Sequence, residues 1–331
     1  MKKCLVLGAG GFIGGHLVKR LKSQGHYVRG VDIKEHEYTD LPSDQFHVLD
    51  LRSESNVRQA MTLTTDRGLE TFDEVYQLAA DMGGAGYIFT GDNDADVMHN
   101  SAMINMNVAK VACEFEEKPK VFYSSSACIY PEHNQLDPDN PNCKEDSAYP
   151  ANPDSEYGWE KLFSERMFMS YNRNYGLDIR IARFHNIFGP EGSWDNGKEK
   201  APAALCRKVA EAEENGEIEI WGDGKQTRSF LYVDECLEAV ERLMDSDCLD
   251  PVNIGSEEMI SINDFALLIA KVAGKNVKLN NIPGPLGVRG RNSDNDFFEE
   301  RIGWRVSLPL EDGVQKTYKW IAEQVKETIN A

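Results

Sequence analysis

The chain has 331 residues, 41% of them apolar and 27% charged, which is enough to bury a large core and far from the composition of a disordered segment. A formal charge of −19 excludes a general nucleic-acid or anionic-membrane binder, since either needs a basic surface. No stretch reaches the roughly 18 apolar residues of a membrane span, and the 7 cysteines, odd in number and without a CxxC pair, predict reduced thiols in a cytoplasmic setting, with neither disulfides nor a metal site.

The opening Met1-Lys2-Lys3-Cys4-Leu5-Val6-Leu7 is too short an apolar run for a secretion signal and predicts a first strand. Gly8-Ala9-Gly10-Gly11-Phe12-Ile13-Gly14 follows at once and opens a helix. In that context Gly8 permits a tight turn, Gly11 lets the backbone approach a pyrophosphate, and Gly14 allows close helix packing, while the helix N-terminus offers free amides. A tight turn alone could need such glycines, so the second strand matters. Val28-Arg29-Gly30-Val31-Asp32 ends in a carboxylate placed to bond both ribose hydroxyls and to repel a 2′-phosphate, which favours NAD over NADP. Arg29 and Lys34 stand close enough to meet such a phosphate; their simpler reading is a solvated strand edge.

Apolar strands at 74–78 and 120–124 continue the alternation with helical segments, so the first half predicts an α/β fold, a doubly wound parallel sheet of the Rossmann type. From about residue 180 the pattern loosens into short elements broken by Trp221-Gly222-Asp223-Gly224 and Asn281-Ile282-Pro283-Gly284-Pro285. The expected division is a nucleotide-binding domain over 1–180 and a smaller, mainly substrate-binding α/β lobe over 181–331, with the chain free to cross back. Amphipathic helices at 262–272 and 313–325 read as core.

Candidate chemistry begins at Ser124-Ser125-Ser126-Ala127-Cys128-Ile129-Tyr130 and continues at Tyr157-Gly158-Trp159-Glu160-Lys161. Tyr157 and Lys161 are spaced to share a helix face, so one cation can act on one phenol. A tyrosine with an ordinary pKa near about 10 is a poor base at neutral pH, and an adjacent ammonium together with a nicotinamide charge should lower it. It could then take a proton from a sugar hydroxyl as hydride leaves the same carbon, with Ser126 bonding that oxygen.

The glycine turn, the serine strand and the YxxxK pair, in this order, resemble the extended short-chain dehydrogenases that act on nucleotide sugars. Further stretches resemble specifically the GDP-mannose 3,5-epimerases: 79–86 (AADMGGAG), 125–131 (SSACIYP), 183–190 (RFHNIFGP), 199–204 (EKAPAA), 221–224 with 226–230 (WGDG, QTRSF), and 289–295 (RGRNSDN). They span nearly the whole chain. The resemblance implies epimerisation through a 4-keto sugar, with Cys128 and Lys200 as an acid/base pair, Cys128 the base and Lys200 the opposing acid. Elementary chemistry agrees: a ketone at carbon 4 acidifies the protons at carbons 3 and 5, and a thiol and a partly desolvated amine can both be tuned towards neutrality.

The resemblance further implies NAD contacts by Asp50, Leu51, Ala79 and Ala80 beside Phe12, Ile13, Tyr157 and Lys161, and GDP-sugar contacts by Gly86, Asn186, Glu199, Ala201, Lys208, Gln226, Arg228 and Arg291, with Arg289 as an extra. Arginine suits a diphosphate because its fork makes two charge-assisted bonds. His185 reads as structural. It also implies a homodimer pairing two helices per subunit, here about 96–116 and 157–172. Two departures stand out, a long stretch at 61–72 and an acidic one at 91–97. Other readings are a nucleotide-sugar 4-epimerase, which needs no acid/base pair; a 4,6-dehydratase, which usually carries Asp-Glu where this chain has Cys128-Ile129; and a non-catalytic nucleotide-binding protein, which would be expected to have lost Tyr157 or Lys161.

Overall fold

In the computed structural model, which describes residues 1–66 and 68–330, β1 (Lys3–Leu7) is buried on both faces, as a central parallel strand must be. Cys4 and Val6 point into one apolar layer and Leu5 and Leu7 into the other. Around it run α1 (Phe12–Ser23), β2 (Tyr27–Asp32), β3 (Gln45–Val48) and α2 (Glu54–Met61). The long stretch after α2 contains a hairpin, β4 (Leu63–Thr65) with β5 (Gly68–Glu70), one position of which lies outside the described residues. Then come β6 (Glu74–Gln77), α3 (Ala85–Ile88), α4 (Asp94–Ala112), β7 (Lys120–Ser126), α5 (Glu156–Tyr175), β8 (Ile179–Phe184), β9 (Ile187–Phe188), α6 (Ala201–Glu211), β10 (Gly216–Trp221), β11 (Thr227–Ser229), β12 (Leu231–Tyr232), α7 (Val233–Asp245) and β13 (Val252–Ile254). The chain ends with β14 (Met259–Ser261), α8 (Ile262–Ala273), β15 (Val277–Ile282), β16 (Gly290–Arg291), α9 (Asp296–Ile302) and α10 (Leu310–Asn330).

Seven parallel strands form the main sheet in the order β13-β8-β7-β6-β1-β2-β3. The order reverses on either side of β1, so the loops after β1 and β6 diverge and open a crevice at their carboxyl ends, the place where doubly wound sheets hold ligands. The smaller elements pair as β10 with β15, β11 between β14 and β16, and β9 with β12. The second half is not wholly separate: β13 returns to the main sheet beside β8, and α7 packs in the same apolar layer as α1.

Candidate active site

The turn after β1 shows which glycines the backbone needs. Gly8 has φ +89°, and a Cβ there would sit 2.8 Å from the amide nitrogen of Ala79. At Gly14 a Cβ would sit 2.0 Å from the Gly8 carbonyl oxygen, so α1 could not approach the sheet. Gly11, the residue preceding α1, differs: a Cβ would meet only the Gly8 oxygen, at 3.3 Å. What keeps Gly11 small is therefore not this chain's own packing. With no side chain capping α1, its first amides face a cradle that fits a pyrophosphate.

Gly10, unremarked in the sequence, packs tightest against the neighbouring strand end. Its Cβ would lie 2.3 Å from the Lys34 oxygen, and its amide donates to Oδ2 of Asp32 at 3.0 Å. Asp32 also accepts from the amides of Ile33 (2.7 Å) and Lys34 (3.2 Å). Burial raises its carboxyl pKa, which these amides oppose. Arg29 is not a solvated edge residue: it is buried, donates to Gln45 and to the carbonyls of Ala60 and Thr62, and lies over the Phe72 ring. Side chains alternate along β2, so Arg29 and Asp32 face opposite ways, and no cation on this strand turns towards a 2′-phosphate. Lys34 pairs with Glu37 at 3.5 Å. Asp50 is tied to Arg52 at 2.7 Å, Leu51 is buried beneath it, and Ala79 and Ala80 follow β6 along the same crevice. Phe12 and Ile13 are half-buried, with Phe12 against Gly189 and Gly192. These residues fit NAD.

Ser126 ends β7 and its hydroxyl accepts from the amide of Cys128 at 3.1 Å, which winds 127–129 into a single turn and aims Cys128 back over the strand. Helix α5 is capped by Ser155, accepting from Gly158 at 3.2 Å. Gly158 passes so close that a Cβ would lie 2.2 Å from the Cys128 oxygen, which seats the start of α5 against the thiol's turn. Tyr157 is buried with its phenol near enough to the Ser126 hydroxyl to feel it; Lys161, also buried, donates to the Ser124 carbonyl at 2.8 Å.

The expected lowering of the Tyr157 phenol is not what the protein alone produces. Burial raises it, Cys128 raises it further, and the Ser126 hydroxyl only partly opposes them. Lys161 Nζ lies 5.7 Å from the Tyr157 ring centre, with one of its three N–H groups bonded to the Ser124 carbonyl, and burial lowers its own pKa, with Glu160 opposing that and Lys200 adding to it. Lys200, the residue preceding α6, is exposed in this structure, and desolvation by the protein around its ammonium lowers its pKa, with Cys128 the first group to oppose that. Cys128 thus acts through space on Tyr157, Lys161 and Lys200, and Lys200 on Lys161.

Arg291 joins them from β16. It is buried, with Nη1 3.1 Å from Cys128 Sγ, Nη2 2.8 Å from Asp154 and Nε 2.6 Å from Gln135. Asp154 and Gln135 carried no sequence signal; only the fold brings them to Arg291. Among the described residues Arg228 donates to the carbonyls of Thr227, Leu286 and Val288 and to no carboxylate, Asp154 acting on it only through space. Burial, then Arg291, bring its pKa down to about 10. A cation so held has charge to spare for an anion.

Asn186, at φ +46°, donates to the Ser229 carbonyl; Gln226 is buried and donates to the Trp221 carbonyl, with its own Oε1 unpartnered. Glu199 has one oxygen 3.4 Å from Arg207 and a buried one that meets no hydrogen-bond partner among the described residues. Ala201 begins α6, Lys208 Nζ donates to the Glu219 carbonyl, and Gly86 lies in α3 under Trp221. Arg289 does not join the set: both its Nη atoms are taken by Asp223. His185 is fully buried against Asn253, Nε2 to Oδ1 2.9 Å, and burial pushes its pKa down to about 3.

Residues 4–255 match the NAD dependent epimerase/dehydratase family. Among known proteins, the chain is 46% identical to GDP-mannose 3,5-epimerase of Arabidopsis thaliana over 98% of its own length and 83% of the relative's, and 46% identical to GDP-mannose 3,5-epimerase 1 of Oryza sativa subsp. japonica over 97% and 82%. Its fold superimposes on that of UDP-glucose 4-epimerase from Thermotoga maritima with a TM-score of 0.83 at 22% identity, covering 98% of this chain and 99% of the other. The chain belongs to the NAD dependent epimerase/dehydratase family and groups there with the GDP-mannose 3,5-epimerases.

Proposed function

We propose that the protein is a redox-neutral isomerase that inverts carbons 3 and 5 of GDP-mannose to give GDP-L-galactose, and GDP-L-gulose when only carbon 5 inverts. What supports this reading is a thiol, Cys128, whose turn is packed against the start of α5 that carries Tyr157 and Lys161, and a second amine, Lys200, whose charge acts through space on Lys161 and is acted on by Cys128. The glycine turn and Asp32 would hold NAD, which would supply a reversible hydride acceptor for carbon 4. Tyr157 holds and moves the proton of the carbon-4 hydroxyl, Ser126 bonds the same oxygen, and Lys161 keeps a positive charge beneath. With carbon 4 a ketone, Cys128 removes a ring proton on one face and Lys200 supplies one on the other.

Arg228 and Arg291 are the cations for the diphosphate and sugar; Gly86, Asn186, Glu199, Ala201, Lys208 and Gln226 line the rest of the GDP-sugar site. A simple 4-epimerase has no use for Cys128 and Lys200, and a 4,6-dehydratase would usually carry Asp-Glu at 128–129. Met106, Trp159 and Phe163 leave α4 and α5 with an exposed apolar face, which supports a homodimer through these helices. Among the described residues no helix is long and apolar enough to cross a membrane; the seven free thiols support a cytoplasmic setting. A nucleotide domain over 1–180, rejoined by β13, and a substrate lobe from 181 onward complete the reading.

The test is proton NMR of GDP-mannose with the pure protein in deuterated water, without added cofactor. Deuterium at carbons 3 and 5 with new galacto or gulo signals is expected; no exchange, with or without added NAD, would redirect the assignment to another nucleotide sugar.

A further inference from the structure

Lys200 ends a long irregular connection, 189–200, between β9 and α6. Its start leaves β9 and is held by α1, through His16 at the Pro190 carbonyl (3.0 Å) and Lys19 at Glu191, and α6 reaches back through Arg207 to the Trp194 carbonyl (3.0 Å) and Glu199 (3.4 Å). Near its end the 83–87 segment, entering from β6, grips the connection at three points. The amide of Gly84 donates to the Lys198 carbonyl at 2.9 Å. Gly84 also lies flat on the next peptide, where a Cβ would come within 2.2 Å of the Glu199 oxygen. Finally, the Lys198 ammonium stands 4.1 Å above the centre of the Tyr87 ring, close for a cation on an aromatic face.

The ring is itself fixed. Tyr87 donates to Asp81 at 2.9 Å, and Asn100 of α4 donates to the other oxygen of that carboxylate at 2.8 Å. Asn93 holds the Tyr87 carbonyl at 3.1 Å. Burial and Asp81 push the phenol up to about 12, so it stays a donor at neutral pH. A rigid chain of contacts therefore runs from α4 through Asp81 and Tyr87 to Lys198, two residues before Lys200.

We propose that Tyr87 and Lys198 are positioning residues whose cation–ring clasp sets Lys200 against the sugar, so that inversion at carbons 3 and 5 depends on the clasp while oxidation at carbon 4 does not. This rests on the function proposed above for Lys200. Tyr157 and Lys161 stand on α5, outside the clasp, and keep their geometry when it opens. Misplacing one catalytic group by about 1 Å can cost about 100-fold in rate.

The experiment uses the whole protein with GDP-mannose in deuterated water, reading deuterium uptake at carbons 3 and 5 by NMR and single-turnover appearance of reduced cofactor by absorbance. Lys198 is exposed, so Lys198→Met should fold as the parent does. Lys198→Met and Tyr87→Leu are expected to lower deuterium uptake about 10- to 100-fold with cofactor reduction within about 3-fold of the parent. Lys198→Arg, which keeps a cation, should stay near parental uptake, Tyr87→Phe, which keeps the ring but loses its hydrogen bond to Asp81, should fall between the parent and Tyr87→Leu, and the double variant Tyr87→Leu/Lys198→Met should be no worse than either single one. Parental uptake in Lys198→Met, or an equal fall in both readouts, overturns the clasp. Absence of uptake in the parent instead overturns the proposed reaction, so the two failures are told apart.

Discussion

Arg291 and Cys128 meet side chain to side chain, Nη1 to Sγ 3.1 Å, although 163 positions separate them in the chain. The guanidinium is held there by Asp154, whose side chain is only 4% exposed against 6% for Arg291. Removing one member of such a buried pair strands the other charge, at a cost of about 3–5 kcal/mol. Arg291→Met should therefore lower unfolding free energy by about that much in urea titrations. Adding Asp154→Asn to it should recover part of the loss; a double variant no more stable than Arg291→Met would show that the pair is not what the fold relies on.

Cys128→Ala is expected to stop deuterium uptake at carbon 5 while oxidation at carbon 4 survives, because Tyr157, Lys161 and Ser126 all remain in place. Tyr157→Phe should slow both by about 10²- to 10⁴-fold with NAD still bound. Normal product from either variant, measured by NMR, removes that residue from the reaction.

The glycines divide by what a methyl group would strike. Gly14→Ala drives a Cβ to 2.0 Å from a backbone oxygen and should destabilise the protein by more than about 1 kcal/mol. Gly11→Ala meets only one oxygen, at 3.3 Å, and should cost clearly less stability than Gly14→Ala while weakening NAD binding by about 10-fold in titration. Loss of binding with the smaller loss of stability is the expected signature of the cradle.

His185 sets a pH dependence of stability. Its folded pKa, about 3, lies below the ordinary 6.5, so between those values the unfolded chain binds more protons than the native one. Its contribution is complete above about pH 6.5 and is lost progressively as pH falls towards 3, by at most about 1.4 kcal/mol per unit. Denaturant titrations from about pH 7 down to about pH 5 should show the parent losing stability faster than His185→Gln. Parallel curves would mean that His185 does not titrate differently on unfolding.

Phe163 is 49% exposed and Trp159 40% exposed on one side of α5. With the homodimer proposed above, the parent should scatter light as a dimer and Phe163→Glu as a monomer. An unchanged mass would place the subunit contact elsewhere.

Much of this could be read along the chain because the signals are local. Alternating apolar strands and helices announced the doubly wound sheet, and the turn at 8–14, the carboxylate at Asp32 and the spacing of Tyr157 and Lys161 each sit within a few residues of the element that positions them. Arg29 shows where such reading fails: its sequence neighbours suggest a solvated strand edge, while the carbonyls that bury it come from residues 60 and 62.

The order of strands, turns and reactive side chains was determined by the sequence alone, since propensity, periodicity and short-range spacing act within one element. Which groups share a cleft, how Asp154 and Gln135 hold Arg291 on Cys128, and whether burial or a neighbouring cation governs Tyr157 were decided only by the tertiary structure. Desolvation and charge act through space, between segments whose separation in the chain carries no information about their distance.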